Sequence, residues 1–142
     1  MRGSMSLAGV CVGRFAPRWL ALLTGVALWA GQPANSAPTS GFFTTSDGVR
    51  LHYLTAGRGP TVVFVPGWTM PAEIWAPQLE YFARRYRVVA LDPRSQGLSE
   101  IARSGHEPTR RARDIHELLD AIQAKSVVLV GWSLGVLEAL AY

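Results

Sequence analysis

A short glycine- and serine-containing run, Gly131-Trp-Ser-Leu-Gly135, separates two stretches of different character in this sequence. The apolar, β-branched stretch Lys125–Val130 predicts a buried strand, and Val136–Tyr142 predicts a helix. A strand that turns into a helix within so few residues forces strained backbone on the middle residue. It also leaves no room for side chains two residues to either side, which accounts for glycine at both positions. The run therefore predicts a tight strand–turn–helix junction with Ser133 at its centre.

This junction predicts an exposed serine at a helix N-terminus, where backbone amides and the helix dipole favour negative charge. Ser133 is thus a candidate nucleophile. The alternative is a plain turn in which Ser133 only caps the helix.

Two more buried strands come before this junction, Thr61–Val65 and Arg87–Asp92. A helix is expected from about Ala72, and a second helix over Thr109–Ala124. In the second helix, apolar residues recur at helical spacing from Ile115 to Ile122 and share one face. Alternating strands and helices predict an α/β fold with a mostly parallel sheet. Ligands of such sheets bind beyond the carboxyl ends of the strands, which is where Ser133 lies.

The first strands of the domain are predicted to be antiparallel. Residues 42–45 and 49–55 have β-type composition and are joined by Ser46-Asp-Gly48, a strong hairpin signal. Two sets of side chains alternate along the second strand, as expected of a half-exposed edge strand. This alternation predicts that His52 lies on the solvated face. Residues 37–41 are expected to form a short linker before the hairpin.

Residues 1–36 are predicted to be a signal peptide. Arg14 and Arg18 precede an uncharged apolar core, Trp19–Gly31, which is short for a membrane span. Small residues at Ala34 and Ser36 favour cleavage after Ser36, the alternative being an uncleaved anchor. The expected location is the periplasm or the outside of the cell, without stable membrane insertion after cleavage. The single cysteine, Cys11, falls in this segment, so no disulfide framework is expected after it.

The net charge of +4 does not indicate a nucleic-acid partner. Three arginines lie before residue 20, and the remaining eleven basic residues face ten acidic ones. The run Arg110–Arg113 is expected to be the solvated start of a helix. The sequence has neither metal-ligand spacing nor a glycine-rich phosphate loop, so no metal and no cofactor are expected.

Taken together, these landmarks resemble the N-terminal part of an α/β-hydrolase-fold serine hydrolase. The resemblance rests on the opening hairpin, the loop Pro66-Gly-Trp-Thr69, the loop Asp92-Pro-Arg-Ser-Gln-Gly-Leu-Ser99 and the Gly131–Gly135 elbow, and it covers residues 42–142. Within the family, Gly67-Trp68 followed by Trp75 is similar to the esterase, perhydrolase and haloperoxidase branch. Two departures are Pro66, where the family commonly has histidine, and Ser95, where it often has glycine.

The resemblance implies roles for three residues. Ser133 would be the nucleophile, and the backbone N–H groups of Trp68 and Leu134 would form the oxyanion hole. Asp92 and Arg94 would hold their loop together, and the side chain of Trp132 would line the acyl pocket or pack nearby. The substrate would be a small ester-like molecule. Epoxide hydrolases and haloalkane dehalogenases are disfavoured, because those relatives carry aspartate at the elbow.

The acid and the histidine of the family's triad follow the serine in the chain. Here His52, His106 and His116 all precede Ser133, and the only acid after it is Glu138 on the same helix. The chain is therefore expected to be a fragment, truncated after the elbow and inactive alone, of an exported serine hydrolase acting on carboxylic esters. The alternatives are perhydrolase, haloperoxidase-like or carbon–carbon bond hydrolase chemistry on the same fold, and a non-catalytic exported binding protein.

Overall fold

The structure is a computed structural model that describes residues 37–142, and the predicted signal peptide lies outside the described residues. Five strands form one sheet: β1 Thr39–Thr44, β2 Arg50–Ala56, β3 Thr61–Val65, β4 Arg87–Leu91 and β5 Val127–Gly131. The helices are α1 Ala76–Phe82, preceded by a 3₁₀ turn at Ala72–Trp75, α2 Pro108–Ala121 and α3 Leu134–Ala141. The predicted order of elements is confirmed.

The sheet has the strand order β1-β2-β4-β3-β5. β1, β2 and β4 pair antiparallel, whereas β3 runs parallel to both β4 and β5. This is the α/β-hydrolase fold with its N-terminal antiparallel hairpin, as the sequence predicts. Because the parallel strands point the same way, the loops after β3, β4 and β5 lie at one end of the sheet.

Each face of the sheet has its own apolar core. One core lies under α2, whose predicted stripe of Ile115, Leu118, Leu119 and Ile122 packs on Val63, Val65, Val89 and Leu91. The other packs Leu79 and Trp75 of the first helical region on Phe64, Val88 and Ala90. β3 and β4 are buried on both faces, as their continuous apolar sequences predict. β5 was predicted to be buried, but it is an edge strand of the described sheet, and Val128 is 60% exposed.

The N-terminal expectations need two corrections. β1 begins at Thr39, within the predicted linker, because Thr39, Ser40 and Gly41 continue the pairing with β2. β2 is not an edge strand, because β1 and β4 flank it. His52 is fully buried rather than solvated, because Phe42 and Asp92 pack against its ring.

The run Arg110–Arg113 is also not simply solvated. Arg111 is buried, and Arg110 lies among the carboxylates of Asp47, Asp114 and Glu117 at 2.9–3.0 Å. The hairpin turn approaches α2 and brings Asp47 to Arg110, so the first turn of α2 is covered by another element. Asp47 is held in its ionised form, since hydrogen bonding to Arg94 lowers its carboxyl pKa well below the usual range.

Among residues 37–142, no helix combines the length and the apolar character needed to cross a bilayer.

Candidate active site

Ser133 connects β5 to α3 with a strained backbone. Its φ of 53° and ψ of −119° lie in a region that residues with a side chain rarely occupy. Such a conformation costs about 1–3 kcal/mol, and it persists only where the surrounding structure enforces it. The strain predicted for the middle residue of the turn is present.

The two glycines of the elbow sit where no side chain would fit. A β-carbon on Gly131 would lie 2.5 Å from the carbonyl oxygen of Gly135. A β-carbon on Gly135 would run into the carbonyl oxygens of Val65 and Pro66 at the end of β3. The backbone N–H of Trp132 donates to the Val65 carbonyl at 3.0 Å. The start of α3 is thus pressed directly against β3, and Ser133 is fixed by contacts on both sides.

The loop after β3 lies against Ser133. A β-carbon on Gly67 would be only 3.0 Å from Cβ of Ser133 and 3.2 Å from Cδ1 of Trp132. Trp68 follows Gly67, and Leu134 follows Ser133, so both proposed oxyanion donors belong to segments in contact at this point. Their N–H groups, and Ser133 as a nucleophile, remain predictions.

Two exposed indole side chains border the elbow. Trp68 is 57% exposed and Trp132 is 56% exposed, although both belong to segments packed tightly around Ser133. Large exposed aromatic groups beside a strained serine form an apolar surface of the kind that lines ligand pockets.

Asp92 and Arg94 hold loops together, as predicted. Asp92 is fully buried and accepts the backbone N–H groups of Ala72 and, at 2.8 Å, Leu98. Arg94 is buried and forms a bidentate salt bridge with Asp114, with Nε–Oδ2 at 2.7 Å and Nη2–Oδ1 at 2.6 Å. Asp47 and the Ser104 carbonyl accept further bonds from Arg94. These contacts bring the β1–β2 turn, the β4 loop and α2 together.

The three histidines are engaged elsewhere. His52 binds Asp92 and Ser40, with Nδ1–Oδ2 at 2.7 Å and Nε2–Oγ at 2.9 Å. His106 lies 3.1 Å from the Ala102 carbonyl, and His116 is 61% exposed on α2. The described contacts of these imidazoles therefore do not include Ser133.

A buried ion pair under the elbow escaped the sequence analysis. Arg111 of α2 and Glu138 of α3 are both 1% exposed, with Nε–Oε1 at 3.0 Å. Burial raises the pKa of Glu138 to about 7 despite the opposing charge of Arg111. Burial also lowers the pKa of Arg111, whose guanidinium lies 5.8 Å from the Trp68 ring centroid. The pair joins α3 to α2 and reaches the loop that carries Trp68. The only indication of this pair in the sequence was a single glutamate in an apolar helix, five residues after Ser133.

Over the part of the chain that the structure describes, no group of three or more histidine, cysteine, aspartate or glutamate side chains has the geometry to hold a metal ion.

Residues 62–142 match the model of the alpha/beta hydrolase family. The chain is 36% identical over 105 residues to a non-heme chloroperoxidase of Streptomyces lividans, covering 72% of this chain and 38% of the relative. It is 32% identical over 105 residues to the bifunctional esterase/perhydrolase DCH of Acinetobacter calcoaceticus, with the same coverage. The chain thus spans well under half the length of these relatives.

A crystal structure of an alpha/beta hydrolase from Novosphingobium aromaticivorans DSM 12444 superposes with a TM-score of 0.69 at 28% identity. The superposition covers 73% of this chain and 39% of that one. The fold similarity therefore spans most of the described residues.

Proposed function

The chain belongs to the alpha/beta hydrolase family, and on this basis we propose that it is the nucleophile-bearing part of an exported serine hydrolase acting on small carboxylic esters. The observation that carries the proposal is the backbone of Ser133, at φ 53° and ψ −119° between two glycines that tolerate no β-carbon. A helix cap needs no such strain, since N-cap residues normally have β-region dihedrals. Strain concentrated on one serine at the end of a parallel strand is the arrangement that presents a nucleophile.

In the proposed reaction, Oγ of Ser133 attacks the ester carbonyl carbon and its proton passes to a general base. The negative charge that develops on the carbonyl oxygen is stabilised by the backbone N–H groups of Trp68 and Leu134. Losing one donor of this kind typically slows such reactions by about 100- to 1,000-fold. The exposed indoles of Trp68 and Trp132 would contact the acyl group.

The base and its orienting acid are proposed to come from outside the described residues. Without a base the serine hydroxyl stays protonated and is a weak nucleophile. His52 is buried against Asp92, and the other two histidines also make contacts away from Ser133. The matched region spans only 38% of the length of these relatives, which leaves room for both missing groups. The 142-residue chain alone would then be inactive as an esterase.

Export is proposed from the predicted signal peptide over residues 1–36. A small-molecule ester is the proposed ligand, and neither nucleic acid nor a cofactor has a part in the proposed chemistry.

Perhydrolysis is the second candidate, favoured by the similarity to the bifunctional esterase/perhydrolase of Acinetobacter calcoaceticus. In either reaction the bond to the alcohol would break, the alcohol would take the proton from the base, and an acyl group would remain on Oγ of Ser133. Hydrogen peroxide, in place of water, would then attack this acyl-serine. The product would be a peracid.

The test is p-nitrophenyl acetate hydrolysis by the protein from the complete open reading frame that contains this chain. We expect Ser133→Ala to reduce turnover by at least about 1,000-fold, and the exposed matched control Ser104→Ala to leave it unchanged. Peracetic acid formed from acetate and hydrogen peroxide would distinguish the perhydrolase. The 142-residue chain alone should show no turnover above its own Ser133→Ala variant.

Turnover that survives Ser133→Ala would contradict the proposal. A complete protein in which Ser133 is not labelled by a fluorophosphonate would be a non-catalytic binding protein on the same fold.

A further inference from the structure

A second serine, far from the elbow, is linked to a buried imidazole and carboxylate. Oγ of Ser40 lies 2.9 Å from Nε2 of His52, and Nδ1 of His52 lies 2.7 Å from Oδ2 of Asp92. His52 and Asp92 are both fully buried, whereas Ser40 is exposed. The order of hydroxyl, imidazole and carboxylate is the one that activates serine nucleophiles.

The contacts of Asp92 determine which imidazole nitrogen carries the proton. Its carboxylate accepts two backbone N–H groups, from Ala72 and Leu98, and these fix its orientation. A carboxylate only accepts hydrogen bonds, so Nδ1 of His52 must donate to it. Nε2 of the neutral ring is then the acceptor that faces Ser40. His52 is thus held in the tautomer that a general base requires.

This group is separate from the proposed active site. Ser40 lies on β1 and Ser133 follows β5, at opposite edges of a sheet with the order β1-β2-β4-β3-β5. Four strand spacings separate these edges, or about 19 Å. The two serines cannot share one base.

The surroundings of Ser40 combine an aromatic surface with a positive charge. Phe42, two residues along the same strand, is 41% exposed, and its ring centroid lies 4.9 Å from that of His52. The guanidinium of Arg50 lies 3.7 Å from the centre of the Phe42 ring. An electrophile with an aromatic or anionic portion would find complementary contacts there.

We propose that Ser40 is a second nucleophilic serine, activated by His52 and Asp92, which takes up one acyl or phosphonyl group from a small electrophile. With a fluorophosphonate, a bond forms between Oγ of Ser40 and phosphorus while the phosphorus–fluorine bond breaks. The hydroxyl proton passes to Nε2 of His52, and fluoride leaves. The product is a stable adduct on Ser40.

The test treats the full chain with a fluorophosphonate and maps the adduct by tandem mass spectrometry of peptides. We expect Ser40 to be labelled at least about 100-fold faster than the exposed Ser104, which matches the contribution typical of a general base. Ser40→Ala should abolish this adduct and Ser104→Ala should leave it unchanged. His52→Gln should slow labelling of Ser40 by a similar factor, with folding checked by circular dichroism.

Labelling of Ser40 at the rate of Ser104 would overturn the proposal, whether or not the His52 variant folds. Undiminished labelling in a folded His52→Gln chain would also overturn it, because the serine would then react without its base. The mapped position of the adduct separates this result from any reaction at Ser133.

Discussion

At the scale of single residues, the structure holds several side chains and one backbone position in costly states. Ser133 has strained dihedrals, Glu138 is a buried carboxyl group with a raised pKa, and His52 is an imidazole enclosed between two strands. Each state persists because neighbouring atoms enforce it, so each can be tested by removing one group.

The strain at Ser133 predicts an unusual response to substitution. Ser133→Gly should raise the free energy of unfolding relative to Ser133→Ala by about 1 kcal/mol, because glycine adopts a φ of 53° without a steric penalty. Urea denaturation followed by circular dichroism gives the comparison. An ordinary helix position would respond in the opposite direction, since alanine is favoured over glycine there by a similar amount.

Glu138 predicts a pH dependence of stability. Its pKa is about 7 in the folded chain against an ordinary value of 4.5, so the folded state binds the proton more tightly than the unfolded state. The contribution of this group is therefore fully present below about pH 4.5 and is lost as the pH rises to about 7. The free energy of unfolding of the wild type, minus that of Glu138→Gln, should fall by up to about 3 kcal/mol across this window.

Denaturation of both proteins between pH 4 and 8 measures that difference, and titrating groups that do not interact with Glu138 cancel in the subtraction. A flat difference would mean that Glu138 is ionised throughout, with Arg111 offsetting its burial.

Sequence alone could predict some of these residues and not others. The Gly131–Gly135 pattern identified Ser133 because its spacing follows from the turn itself. His52 was misassigned since alternation along a strand says which residues share a face, but not whether another element covers it. The buried Arg111 was missed for the same reason, because its partner lies on a helix whose packing against α2 is not encoded locally.

At the scale of elements, the elbow depends on the close approach of α3 to β3. The order of elements along the chain, the hairpin and the helices were predictable from periodicity and turn residues, and the structure confirms them. The 3₁₀ turn before α1 and the start of β1 at Thr39 were not, because pairing and packing determine where elements begin.

Gly135→Ala should destabilise the chain by about 2–3 kcal/mol, since the added methyl group runs into the Val65 and Pro66 carbonyls. Gly48 in the hairpin turn is a matched control, with a φ of 85° and open space where an added β-carbon would lie. Gly48→Ala should therefore cost only the backbone penalty of about 1 kcal/mol. Chemical denaturation compares the two variants. Equal effects would mean that α3 is not pressed against β3.

At the scale of the whole molecule, the described residues include the Gly131–Gly135 elbow and the loop beside it, while the chain spans 38% of the length of its curated relatives. The fold class was predictable because several landmarks occur together in order. Substrate choice was not, because no described contact defines a complete acyl pocket.

The proposed export predicts a defined N-terminus. Expressed in a Gram-negative host, the chain should appear in the periplasm starting at Ala37, as intact mass spectrometry would show. Ser36→Phe places a bulky side chain where a small one is required and should block cleavage, with the unprocessed precursor accumulating in the membrane fraction. A wild-type chain that retains residues 1–36 in the cytoplasm would contradict this prediction.

The central claim is that Ser133 is a catalytic nucleophile, and covalent labelling tests it most directly. The protein from the complete open reading frame is treated with a fluorophosphonate, and the adducts are mapped by tandem mass spectrometry. We predict rapid labelling at Ser133, lost in Ser133→Ala together with esterase turnover and resolved from any adduct at Ser40. Esterase turnover without an adduct at Ser133 would contradict the claim.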